Sequence, residues 1–130
     1  MSCRTTALIA VAAMLPAGAA WAHHNMFAIF DINDRVTLTG TLSKIDWRNP
    51  HIELSMEVQS GGNAAEGWSL EGPSPGFFRG RDIDKSTFER ALGKAVTADA
   101  NRARDGSRWG LLRAITLPDG RVVSACPQNC

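Results

Sequence analysis

The stretch Val36-Thr37-Leu38-Thr39-Gly40-Thr41-Leu42-Ser43-Lys44-Ile45-Asp46-Trp47 decides the fold class. Its first seven residues alternate apolar and small polar side chains, the period of a strand with one buried face. Past Leu42 the apolar set changes phase, and Ile45 and Trp47 take the opposite parity to Val36, Leu38 and Leu42. A phase change inside one strand switches its buried face, which a bulge produces. Gly40, lacking a Cβ, permits sharp coiling in the same place. A long, bent first strand is predicted.

The rest of the chain follows the same period. Asn49-Pro50 marks a turn. Residues 52–58 alternate cleanly, and residues 60–63 read as a loop. Residues 67–71 form a third strand, which Pro73 and Pro75 interrupt. Ser86-Thr87-Phe88-Glu89 has the form of a helix capping box, with Phe88, Ala91 and Leu92 on one face and Gly93 as the stop. A fourth strand is expected over 95–100 and a fifth over 111–117. Asp105-Gly106 turns the chain between them, and Pro118-Asp119-Gly120 turns it into a short returning strand over 121–125. The expectation is a mainly β domain. It would be a small five- to six-stranded OB-like barrel with one short helix between strands three and four. Another small β-barrel or roll has the same element order, because order alone does not fix which strands pair.

Residues 1–22 have a different character. Arg4 is their one charge, the apolar run Ala7–Leu15 follows, Pro16 and Gly18 break it, and Ala20-Trp21-Ala22 ends it. That is the order of a secretory signal and its cleavage site. The run is too short for a spanning helix, which needs ~20 apolar residues. The expected organisation is a signal peptide over 1–22, one OB-like domain over 23–125 and a cysteine-containing tail over 126–130. The expected compartment is exported, periplasmic or secreted.

The chain carries 14 Lys+Arg against 13 Asp+Glu. Loss of Arg4 with the signal balances them, which argues against nucleic acid as a partner. Arg102, Arg104 and Arg108 cluster, but Asp99 and Asp105 lie among them, as in a solvated hairpin. Cys3 leaves with the signal. Cys126 and Cys130 remain, and a disulfide between them suits an oxidising compartment. A soft-metal thiolate pair is the alternative.

The strongest ligand set is the histidines His23, His24 and His51. Cleavage after Ala22 makes His23 the mature terminus, where its α-amine and ring nitrogen can chelate one metal. His51, in the turn after the first strand, or His24 could add a further nitrogen. Three nitrogens suit copper(II), and Met26 could supply a thioether to copper(I). Zinc would want a fourth ligand. The plainer reading makes His23 and His24 a solvated leader and His51 a turn histidine bonded to backbone.

Other candidates are weaker. Asp31-Ile32-Asn33-Asp34 lacks the glycine and glutamate of a calcium loop and reads as an Asx turn. Glu53, Glu57 and Glu71 occupy polar strand positions, ordinarily a solvated face. Trp47, Trp68 and Trp109 could stack a sugar or a base, or fill the core, and the core is expected for at least two. No Gly-x-Ser-x-Gly elbow is present, so binding rather than catalysis is expected.

The motifs taken together resemble a family of small exported bacterial proteins of unknown function, family 6152 of the unknown-function series. The matching pieces are Ala22-His23-His24 with Phe27, Phe30-Asp31, and Thr37-Leu38-Thr39-Gly40-Thr41. Trp47-x-Asn49-Pro50-His51, Gly72-Pro73-Ser74-Pro75, Arg79-Gly80 and Leu117-Pro118-Asp119-Gly120-Arg121 continue the set. Asn25 replaces a serine, Leu92-Gly93-Lys94 stands in place of a Gly-Asp, and the cysteine tail is peculiar to this chain. The resemblance implies export and a small β-rich fold, and no activity.

Three functional readings follow. The first is a copper-binding module built on His23 and His51, with His24 as third candidate. The second is a metal-free interaction domain that binds a protein or envelope saccharide partner. The third is a copper-dependent redox enzyme, which would need an open coordination position. Oligomeric state is not legible.

Overall fold

A computed structural model describes residues 26–62 and 64–126. A short helix α1 (Met26–Ile29) leads into β1 (Phe30–Asp46), β2 (Glu53–Val58) and β3 (Glu66–Glu71). Two short helices, α2 (Pro75–Arg79) and α3 (Lys85–Glu89), precede β4 (Ala95–Ala103), β5 (Trp109–Thr116) and β6 (Val122–Ser124). The fold is mainly β, as expected. The strands lie in the order β3-β2-β1-β4-β5-β6, neighbours running antiparallel, and β3 also pairs with β5 in parallel.

The long first strand bends for the two reasons its sequence holds. Between β1 and β2 the register shifts between Leu42 and Lys44, leaving Ser43 as the additional residue. The Ser43 hydroxyl donates to the Ser55 carbonyl at 3.1 Å. Leu38 and Leu42 are buried ahead of the bulge, and Ile45 and Trp47 pack on the core after it. Gly40 pairs with Val58 of β2 and with Val96 of β4. A Cβ there would lie 2.3 Å from the Glu57 carbonyl oxygen, so the two backbones meet at a distance only glycine allows.

A second irregularity lies at the start of β1. Its register on β4 shifts between Phe30 and Arg35. The Asn33 amide donates to Asp31 Oδ1 at 3.0 Å, so the expected Asx turn is present inside the strand rather than before it. The buried Asn101 side chain donates to the Ile32 carbonyl at 3.1 Å and ties this turn to β4.

The connection from β3 to β4 differs from expectation, with two helices in place of one. Pro75 starts a helix here. Ser74 caps α2, accepting from the Phe77 amide at 3.3 Å, and Pro75 occupies the first turn, where a missing N–H costs nothing. α3 is capped by Asp84, two residues before the expected Ser86. Asp84 Oδ1 accepts from the Thr87 amide at 3.1 Å and from the Ser86 hydroxyl at 2.7 Å. Phe88 and Ala91 are buried as expected, whereas Leu92 is exposed.

The core runs from Leu42, Leu54, Met56 and Leu70 through Leu112 and Ile115 to Phe78 and Phe88, brought by the two helices. The Phe78 ring lies 5.2–5.5 Å from the rings of Phe77, Phe88 and Trp47, so it joins helices and sheet. The opposite face of β1 and β4 is polar and paired across strands. Thr37 donates to Asp99 at 2.7 Å, and the Thr39 and Thr97 hydroxyls lie 3.2 Å apart.

Three aspartates in turns and caps have carboxyls held below their ordinary range. Ser86 and the Thr87 amide do this to Asp84, Ser107 does it to Asp105, and the Arg121 amide and guanidinium do it to Asp119. A carboxyl with a lower pKa folded than unfolded contributes stability that is present above the unfolded value and lost as pH falls through the folded one. The melting temperature should fall as pH drops from about 5 to about 2, and fall less in Asp84→Ala. Parallel curves would show that this cap carries no acid sensitivity.

Candidate functional site

The site is built where β1 leaves the sheet. After Asp46 the Trp47 ring packs against both Phe78 and Phe88, 5.5 and 5.4 Å from their ring centres, while those two rings also touch each other at 5.4 Å. Arg48 turns back to pair with Asp46 at 2.6 Å. The Asn49–Pro50 peptide is cis. Ile52 is fully buried, its amide donating to the Pro73 carbonyl at 3.1 Å and its carbonyl accepting from the Gly72 amide at 2.9 Å. Ile52, directly after the Trp47–His51 segment, is thereby bonded to Gly72 and Pro73.

His51 therefore stands between two anchors, Trp47 and Ile52, rather than in a loose turn. Its partner is a side chain and not the backbone: His51 Nδ1 lies 2.5 Å from Glu71 Oε1. Glu71 ends β3, opposite Glu53 of β2 and Leu111 of β5. Glu53 and Glu57 are exposed, as strand polarity predicts, but the Glu71 side chain is only 13% accessible against 37% for His51. A neutral imidazole that donates from Nδ1 to a carboxylate keeps its lone pair on Nε2. Glu71 thus sits at Nδ1, and Nε2 is the ring nitrogen left for another partner. The sequence reading placed Glu71 on a solvated face and missed this role. Only the β2–β3 register, which puts residue 71 beside residue 53, could have signalled it.

His23 and His24 lie outside the described residues. The chain is first described at Met26, in α1, and is fastened at once to the β4–β5 hairpin. The Arg104 amide donates to the Ile29 carbonyl at 2.9 Å, and its guanidinium to the Phe27 carbonyl at 3.0 Å. Phe30 packs edge-on to Trp109, 4.9 Å between ring centres. Trp109 pairs with Ser69, two residues along β3 from Glu71. The N-terminal arm is thus tied to the same β3–β5 pair that carries the His51 partner. Among the described residues no group of three or more His, Cys, Asp or Glu side chains is close enough to hold a metal. A set of three such ligands would need residues outside the described ones.

The remaining candidates resolve simply. Trp68 is buried in the core, Trp47 packs against it, and Trp109 packs on Phe30. The arginine cluster is a paired hairpin: Arg102 reaches Asp34 at 3.7 Å, Arg104 reaches Asp31 at 3.4 Å, and Arg108 reaches Glu66 at 2.8 Å. Cys126 is in a disulfide, and the proposed partner Cys130 lies outside the described residues. No helix among the described residues is long and apolar enough to cross a membrane.

No curated protein and no solved structure matches the chain. The profile of a family of unknown function does match, over residues 10–113. That span takes in the His-His pair, the Trp-x-Asn-Pro-His turn and Glu71, and stops before the Leu117–Arg121 turn. With most of its length matched, this chain belongs to the family of unknown function DUF6152.

Proposed function

We propose that the protein is an exported, periplasmic or secreted, small binding protein that takes up copper through an N-terminal histidine. The ligands are the α-amine and ring nitrogen of His23, released by cleavage after Ala22, and Nε2 of His51, with His24 as third candidate. Met26 is a candidate thioether for the reduced ion. The observation that carries the reading is the Glu71–His51 pair. A carboxylate that accepts from one ring nitrogen and leaves the other open is the usual support of a metal-binding histidine. The anchoring of the N-terminal arm beside Trp109 favours the reach from His23 to His51.

The scaffold we infer is an OB-like barrel. The parallel β3–β5 pairing joins the two ends of the run β3-β2-β1-β4-β5, and closing a sheet in that order gives a five-stranded barrel with the His51 turn at one rim.

The test is a copper(II) titration of mature protein whose first residue is verified as His23. One-to-one binding is expected. It should be lost when one residue is added before His23, and lost in His51→Ala. Glu71→Gln should weaken binding by about 10- to 100-fold, since the amide no longer holds the ring as strongly. Equal affinity with and without the extra residue would contradict the proposal. The metal-free alternative, a domain that binds a protein or saccharide, would then lead. Its test is loss of partner binding on changing Trp109, because Trp68 and Trp47 are committed to packing.

A further inference from the structure

We propose a second site, for a small organic dianion, in the cleft between the end of α3 and the β5–β6 turn. The cleft holds about 190 Å³. Arg90, Lys94 and Arg121 line it, with Asp119 as the single carboxylate among the lining residues. Three cations face this one lining carboxylate, and Asp84, which acts on Arg90 from behind the Ser86 hydroxyl, offsets part of the remaining positive charge. The chain as a whole is nearly balanced, at +1. The floor is apolar, made by Ala91 and Leu117, which are both buried.

The walls are built from backbone. The Gly93 amide donates to the Leu42 carbonyl at 2.8 Å, and the Leu42 amide donates to the Lys94 carbonyl at 3.1 Å, so β1 fixes the Lys94 side. The Leu117 amide donates to the Arg121 carbonyl at 2.9 Å, and the Gly120 amide to the Leu117 carbonyl at 2.9 Å, which fixes the other. The backbone that carries Lys94 and Arg121 is therefore held in place, which lowers the ordering cost of binding. Arg121 Nε is engaged by Asp119 at 2.9 Å, and Arg90 Nη1 donates to Ser86 at 3.0 Å, so each guanidinium keeps further N–H groups for a ligand. Lys94 makes no ion pair among the described residues.

These features select the ligand class. Arg90, Lys94 and Arg121 offer separate N–H donors to two acidic groups. An apolar floor between the cations matches a short carbon body, which a bare inorganic ion lacks. The fitting class is a small dicarboxylate. The cleft shares no residue with the His51 site, so the two proposals stand or fall separately.

Calorimetric titration of the full mature protein with succinate tests this, with acetate and inorganic phosphate as comparison ligands. Saturable one-to-one succinate binding is expected, with acetate at least about tenfold weaker for want of the second charge-assisted contact. The double change Arg90→Gln with Lys94→Gln should weaken succinate by about tenfold or more. Asp119→Asn should tighten it, because the amide still accepts from the Arg121 amide but no longer competes for the guanidinium. A merely structural role for Asp119 would not produce that gain, and this arm stands if the double variant fails to fold. No saturation with succinate, unchanged affinity in the double variant, looser binding in Asp119→Asn, or phosphate preferred over succinate would each overturn the assignment.

Discussion

Phe78→Ala should lower the unfolding free energy by about 3–5 kcal/mol in urea titrations, the range for a fully buried aromatic truncated to a methyl. The site cannot collapse cheaply. Phe78 is completely buried and meets Trp47, Phe77 and Phe88 through their rings. These neighbours come from α2, α3 and the end of β1, and no one of them can move in without leaving its own element. The loss should also register at Trp47, whose fluorescence and near-UV dichroism report the ring packing. Because Trp47 is one of the two anchors of His51, copper affinity should fall as well, even though residue 78 is no ligand. A cost below about 1 kcal/mol would mean that the helices contribute little to the core.

Gly40→Ala should cost about 3 kcal/mol, the upper end for forcing added atoms into a packed place. The obstacle is backbone: the new Cβ would meet the Glu57 carbonyl oxygen at 2.3 Å and Val58 Cα at 3.0 Å. Neither can turn aside as a side-chain tip would, so β1 must pull away from β2 where it also pairs with β4. Gly67→Ala is the matched control. It too lies in a strand of the same sheet, but its Cβ would meet only the Glu57 carboxylate, at 3.9 Å. That change should be neutral or stabilise by about 0.5 kcal/mol, as alanine ordinarily does against a strand glycine. Equal effects at the two positions would contradict the close approach inferred at Gly40.

The residues that announced themselves were those whose role is local. The parity change between Leu42 and Ile45 required a bulge, and Ser43 supplies it. Gly40 marked the coil, and the period-two runs gave the strands to within a few residues at most boundaries. At two points a local signal has two meanings. Pro75 looks like a breaker but, after Ser74, it starts a helix, and Ser86 looks like a cap that Asp84 in fact provides. What no local pattern carries is pairing across the sheet. The parallel contact of β3 with β5 joins residues some forty apart in the chain, and it brings Trp109 beside Ser69. The Glu71–His51 pair has the same origin: strand parity gives Glu71 an outward position, and only the register reveals that a histidine waits there. The His51 turn was legible as a candidate, its support was not, and His23 and His24 precede the described residues.

The measurement that bears most directly on the copper reading is electron paramagnetic resonance of the copper(II)-loaded mature protein, with and without His51. The account predicts nitrogen hyperfine structure from the terminal amine and the imidazoles of His23 and His51, and loss of that site's signal in His51→Ala. It also predicts that one extra residue before His23 abolishes the signal of the specific site. Spectra unchanged by both alterations would contradict it, and would leave the Glu71-held His51 as a structural clasp between the β1–β2 connection and β3.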